Sequence, residues 1–350
     1  MFNLLRNLFI EPTVQLQEIA TQVDTNNINI ETNPVTTVNN LKKSVNREER
    51  VYRRKKDTFT NSQLSNPKIF NYKKFTLHNK LDNIKSVDLR NKMPPVYNQG
   101  KLGSCTANAI CAAYEYEMMR QGETNKQMSR LFLYYQERKI ENTINEDSGA
   151  EIKDGVFATA STGICEESLW PYDIDNFKTD PSEEAYLDAG FHKTINYNRI
   201  YQRENDIKQS LLDGFPVIFG ISVYESFESD EVAQTGIVPM PSSNEKLLGG
   251  HAILIVGYKE INNKDYFIVR NSWGSTWGDE GYCYIPFDYV LNENLAEDFW
   301  SIKLVDDEDN KQLIRNFYDS LSHRTSDVLP SFTSDNSVLL DNYSDEVSID

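Results

Sequence analysis

Gln99-Gly100-Lys101-Leu102-Gly103-Ser104-Cys105-Thr106-Ala107-Asn108-Ala109-Ile110-Cys111-Ala112-Ala113-Tyr114 is the stretch from which the rest of the chain can be read. Ala107, Ile110, Cys111, Tyr114 and Met118 recur at i, i+3, i+4, i+7 and i+11, which is one face of a helix. Ser104 stands where an N-cap belongs, and Gly122 where the helix should stop. Cys105 is therefore expected in the first helical turn. There the unpaired N–H groups and the helix dipole favour negative charge on its sulfur. Gly100 and Gly103 let backbone and substrate approach closely.

Downstream of this helix the pattern predicts two more, at about 129–140 and 151–162, and shorter ones near 182–189 and 204–213. The second half changes period. Phe215 to Val223, Ala252 to Tyr258, Tyr266 to Arg270 and Gly281 to Ile285 read as strands, with turns at Asn262-Asn263-Lys264 and Gly278-Asp279-Glu280-Gly281. Helices first and strands later predict an α+β fold of two lobes, helical then β-rich, with a cleft between them. No internal repeat is visible.

Upstream, residues 1–60 are rich in Asn, Thr, Gln and charge, and the run Arg47 to Lys56 is strongly basic. They read as flexible or only locally helical. Residues 1–85 carry a net charge of +6, residues 86–305 carry -15 and residues 306–350 carry -8, within a total of -17. A basic front beside an acidic body suggests mutual attraction, and the acidic body argues against nucleic acid as a partner. The expected layout is an N-terminal extension over 1–85, a densely patterned body over 86–304 and an acidic, disordered tail over 305–350. No run is long enough to span a membrane, and Met1 to Ile10 lacks the parts of a signal peptide. There are four cysteines, and with Cys105 free the remaining three make a poor disulfide framework, which favours a cytoplasmic location, or a virion if the source is viral. Oligomeric state stays open.

Three segments together carry chemistry: the one holding Cys105, Gly249-Gly250-His251-Ala252, and Asn271-Ser272-Trp273-Gly274. A thiol, an imidazole and a carboxamide are the parts of a thiol hydrolase. His251 would form a thiolate–imidazolium pair with Cys105 and later protonate the leaving amine. Asn271 would orient the imidazole. The Cys105 N–H and the Gln99 side-chain amide would make an oxyanion hole, in which one donor is typically worth about 3 kcal/mol. Cys111, Cys165 and Cys283 read as core or element-end residues, and His78, His192 and His323 have no partner motif. No metal-ligand spacing is seen, and neither metal nor cofactor is expected.

These segments resemble the papain family of cysteine proteases. Val87-Asp88-Leu89-Arg90 looks like that family's mature N-terminal segment, and Gln99 to Cys105 matches its oxyanion-and-nucleophile motif. Leu248 to Tyr258 resembles its histidine strand, and Asn271 to Tyr282 its asparagine segment. The 146-residue separation of Cys105 and His251 falls within the family's range of about 130–150. Asn271 lies 20 residues beyond His251, somewhat far, which a longer hairpin at Asn262-Asn263-Lys264 would explain.

The resemblance implies Cys105 as nucleophile, His251 as base and acid, Asn271 as orienting group and Gln99 as oxyanion donor. Trp273 would shield the His–Asn contact. Gly149 and Gly250 are candidates for holding substrate backbone, and Ala252 and Ala296 for a pocket with room for an apolar side chain. Polypeptides are the implied substrates. The residues before the mature start would then be an inhibitory propeptide, with about 60 to 85 covering the cleft, although the family's usual propeptide helix motif is not found. Leu102 stands where many relatives have a disulfide cysteine and Thr106 where Trp is common. A binding module with a permanently covered cleft, or a non-proteolytic acyl transferase, are the alternatives.

Overall fold

The computed structural model describes residues 50–59, 84–124 and 126–306, all of which fall in one compact unit. Helix α1, Cys105–Arg120, is buried along nearly its whole length and packs on helices α2, Arg130–Ile140, and α3, Ile152–Ser161. Its other side lies against strand β4 of the sheet described below. Such all-round burial suits a central helix whose exposed end begins only at Met119. Ser104 takes the N-cap position without capping. Its hydroxyl is held instead by Tyr172 Oη and Asn108 Nδ2. Gly122 does end the helix, with φ +92° and the Glu123 N–H returning to the Met118 carbonyl. Thr106 donates to the buried Glu137 carboxylate of α2 at 2.7 Å, which gives the residue after Cys105 a packing role of its own.

The β-rich lobe is one antiparallel sheet. Its strands are β1 Val87–Asp88, β2 Thr194–Arg199, β3 Val217–Tyr224, β4 Leu247–Ile261, β5 Lys264–Arg270, β6 Tyr282–Pro286 and β7 Ala296–Val305. The order is β2-β7-β3-β4-β5-β6, with β1 pairing β4. Asn262 and Asn263, at φ +52° and +60°, form the two-residue β4–β5 turn that the Asn-Asn pair suits. Helices α4, Glu183–Ala189, and α5, Glu204–Leu212, also lie where the pattern puts them.

Strands β2 and β7 are additions to the sequence reading. Strand β7 reaches Val305, where an acidic tail is expected to begin, and the Asp306 N–H still bonds the Lys193 carbonyl. Residues 307–350 lie outside the described ones, as does the expectation of disorder there.

Opposite Phe219 the β3–β7 register slips. Ile218 faces Trp300 but Gly220 faces Glu297, so β7 carries an extra residue, and Asp298 sits at φ +59°. This is a β-bulge with its first residue in the left-handed region, a device that re-aims side chains. It bears directly on the cleft.

Candidate active site

Cys105 heads α1 and is fully buried, and the backbone N–H groups of Thr106 and Ala252 reach its sulfur. Ala252 follows His251 on β4, so the helix docking on the sheet brings thiol and imidazole to one place. His251 Nε2 lies 2.9 Å from Asn271 Oδ1. Because Oδ1 only accepts, Nε2 carries the proton and Nδ1 keeps its lone pair. That Nδ1 is buried with no hydrogen-bond partner among the described residues.

The Asn271 loop is stitched to the loop that leads into α1. Asn271 Oδ1 also accepts from Ser272 N at 2.8 Å. Ser272 Oγ donates to Gln99 Oε1 at 2.6 Å, and the Gln99 N–H donates to the Ser272 carbonyl at 2.9 Å. These bonds fix the Gln99 amide, whose Nε2 donates to the Leu102 carbonyl. Trp273 stacks on His251, with centroids 5.1 Å apart and planes at 22°, and is backed by Trp277 and Phe227. Cys105, His251, Asn271, Gln99 and Trp273 are thus gathered at one point. The other cysteines are free and buried, and His192 sits buried 3.6 Å from Asp188, away from this cluster.

Over the cluster lies residues 50–59 of the same chain. The sequence reading expects the cover at about 60 to 85. Among the described residues it is the basic run just upstream, while 60–83 lie outside the described ones. The Arg54 N–H donates to the Gly250 carbonyl at 3.0 Å, and the Lys55 N–H to the Ala150 carbonyl at 2.9 Å, with a parallel bridge between Lys55 and Glu151. Tyr52 packs edge-on against both His251 and Trp273, each at 5.9 Å, and Arg50 stacks on Trp273 at 4.0 Å.

Gly149 and Gly250 face each other across this segment, and a Cβ at either would run into the Arg53 or Arg54 carbonyl oxygen. Gly149, at φ +69°, would also be strained by any side chain. Gly149→Ala is therefore expected to push the segment out of the cleft. The check is tryptic cleavage after Arg53, Arg54, Lys55 or Lys56 in the folded chain, slow before the change and fast after it. Equal rates would count against the close fit.

Charge holds the segment as well. Arg53 pairs with Asp147, Lys55 with Glu141, and Lys56 with Glu297. Arg54 is buried between Glu297, at 2.6 Å, and Asp298, at 2.7 Å. The attraction suggested by the charge imbalance is local and specific. These partners, with Tyr52, Phe227 and Trp277, are the residues the sequence reading misses. Their only sequence signal is the basic run itself. The pocket expected to be apolar near Ala252 and Ala296 is bounded by two carboxylates.

Burial sets the protonation of the pair. Desolvation pushes the Cys105 thiol up to about 11 and, despite the Asn271 hydrogen bond, His251 down to about 4. In this covered form thiol and imidazole are both neutral. The thiolate–imidazolium pair expected from the sequence is not the state present here.

Comparison with known proteins points to one family. Residues 84–297 match the model of the papain family cysteine protease domain. An uncharacterized peptidase C1-like protein of Acanthamoeba polyphaga mimivirus is 48% identical over 229 residues, covering 63% of this chain and 72% of that one. Cathepsin S of Rattus norvegicus is 29% identical over 212 residues, covering 56% of this chain and 58% of its own. Among solved structures, xylellain, a cysteine protease from Xylella fastidiosa, superposes with a TM-score of 0.63 at 36% identity, covering 72% of this chain and 95% of that chain.

Proposed function

Starting from a chain that belongs to the papain family of cysteine proteases, we propose that it cleaves polypeptides through a thioester on Cys105, and that residues 50–59 keep it latent. The observation that carries this is the segment lying backbone to backbone between Ala150 and Gly250, with Tyr52 against the His251 ring. A bound substrate would need the same groove.

Once the groove is open to water, the desolvation that keeps both groups neutral is relieved. His251 Nδ1 then takes the thiol proton. The sulfur attacks the scissile carbonyl carbon, and the oxyanion is held by the Cys105 N–H and the Gln99 amide. The C–N bond breaks, the amine leaves with the proton from Nδ1, and water hydrolyses the thioester by the reverse proton path. Asn271 keeps Nδ1 aimed at the sulfur by fixing Nε2. Gly149 and Gly250 would lie against substrate backbone. The working layout stays an extension over 1–85, a catalytic body over 86–304 and a tail beyond. The full burial of Cys105 also suits a second reading, a binding module whose cleft never opens.

The two separate on labelling by an epoxysuccinyl thiol reagent, read by intact mass. The full chain should label slowly and a chain beginning at Ser86 quickly, with Cys105→Ala abolishing both. Equal rates would remove latency and keep the protease. Absence of labelling in both folded forms would leave the binding module.

Latency should depend on pH through Asp57. Its carboxylate is buried against Asp298 and accepts from Lys153 N and Trp300 Nε1. Desolvation first, then the Asp298 charge, raises its pKa to about 7. A carboxyl whose pKa is higher docked than free takes up a proton on docking. Its contribution is complete below the free value near 3.8 and lost as pH rises through about 7. Glu297 opposes this only at lower pH: burial raises its pKa, but Lys56 and Arg54 lower it below 4.5. Between pH 5.5 and 7.5 Cys105 labelling in the full chain should thus accelerate more than in Asp57→Asn. Parallel pH profiles would show that Asp57 has no part in it.

A further inference from the structure

Arg54 shows which side chain the cleft is built to take. Its main chain is bonded to Gly250, next to His251, and its guanidinium turns down into a pocket between β3 and β7. The floor is Gly220, where any Cβ would occupy the guanidinium's place. Gly220 pairs with Ala252 on one side and Glu297 on the other, so small residues leave the space and an acid closes it.

Successive residues of a regular strand point to opposite faces. Glu297 and Asp298 are successive, yet both reach the same guanidinium, one on each terminal nitrogen. The bulge at Asp298, with its left-handed backbone, is what turns the pair together.

This acidic pair is left short of cations when the segment leaves. Arg54 and Lys56 depart with it. Among the described ion pairs Arg199, at 3.4 Å from Asp298, is what remains. Asp298 is almost fully buried, and a buried carboxylate without a partner is costly. The opened pocket therefore favours an entering cation, and a planar guanidinium suits two acceptors side by side.

We propose that the pocket of Gly220, Glu297 and Asp298 is a specificity site that selects an arginine, or less well a lysine, in the polypeptide substrate, and that Arg54 occupies it as the substrate's stand-in. This rests on the peptidase reading above. It also goes beyond a latch: a peptide sharing the Gly250 and Ala150 backbone contacts must present a side chain at this same point.

The test uses the full chain carrying Arg54→Glu, which repels the segment from the pocket. Peptides are varied one position at a time over the three residues on the acyl side of the scissile bond, with Arg, Lys, Leu or Glu at each. The same sequences are also made as Cys-directed alkylating ketones. At one position Arg should exceed Leu in kcat/KM and in alkylation rate by about 10-fold or more, the size expected for charge-assisted hydrogen bonds. Adding Glu297→Gln should cut that ratio several-fold. Adding Asp298→Asn should cut it further.

Equal or better rates for Leu at every position would overturn the proposal, leaving the pocket as a latch alone. So would an Arg preference indifferent to both substitutions. Failure of the peptidase reading looks different. Then no peptide is hydrolysed, while the ketones still report on the pocket: an Arg preference that Glu297→Gln reduces would uphold the site, and no preference would sink it.

Discussion

Cys105→Ala is expected to lower peptide hydrolysis by the opened chain by about 10⁴-fold or more, the scale of losing a covalent nucleophile. Neither of the other groups at the site can replace the sulfur. Asn271 is committed to His251 Nε2, and Gln99 is tied to Ser272 and Leu102. The folded state should barely change, because alanine fits the first turn of α1 and removes one buried sulfur. Hydrolysis is read with a peptide panel, and folding by thermal melting. Retention of substantial activity in a preparation free of other proteases would mean that the nucleophile lies elsewhere.

Arg54→Glu carries the second large effect. It replaces a buried cation, held by two carboxylates, with a third negative charge in the same pocket. Breaking a buried pair by removing one partner costs about 3–5 kcal/mol, so the open population should rise by roughly 10²-fold to several 10³-fold if the segment docks as a unit. The rate of Cys105 labelling in the full chain should rise accordingly, until opening no longer limits it. Arg54→Leu should give a smaller rise, since it leaves the acids unpaired without adding repulsion. A labelling rate unchanged by Arg54→Glu would mean that Tyr52 and the backbone contacts hold the segment without the ion pairs.

Most of the site was legible in the sequence because its three segments are local. Helix α1 shows its period, and Cys105 must then sit at its start. The runs around His251 and Asn271 alternate and turn cleanly, so the strand, the hairpin and the distance between the two residues could be read together. Strand β7 was missed for a physical reason. Its bulge breaks the two-residue period at Glu297 and Asp298, the residues that bound the pocket. Strand β2 was missed because its exposed edge position lets Ile195 face solvent among polar neighbours. That residues 50–59 lie over the cleft was not foreseen, and the stretch expected there, about 60 to 85, falls almost wholly outside the described residues. Aromatic residues at 70–75 suggested docking, whereas Arg53 to Lys56 dock through charges set in place by folds far away in sequence. The state of the thiol was also beyond reach, since its burial in the folded chain decides it.

That burial has a consequence for survival in an oxidising setting. Peroxide attacks the thiolate, and the first product on the ladder is a sulfenic acid that can proceed irreversibly. A protonated sulfur with no exposed surface offers almost no target. If the groove opens as proposed, the covered protein can be stored or carried through a peroxide-rich environment with its sulfur intact, and its vulnerable period begins with opening. Pre-treatment with peroxide before the groove is opened should leave later Cys105 labelling nearly complete. The same dose given afterwards should consume it.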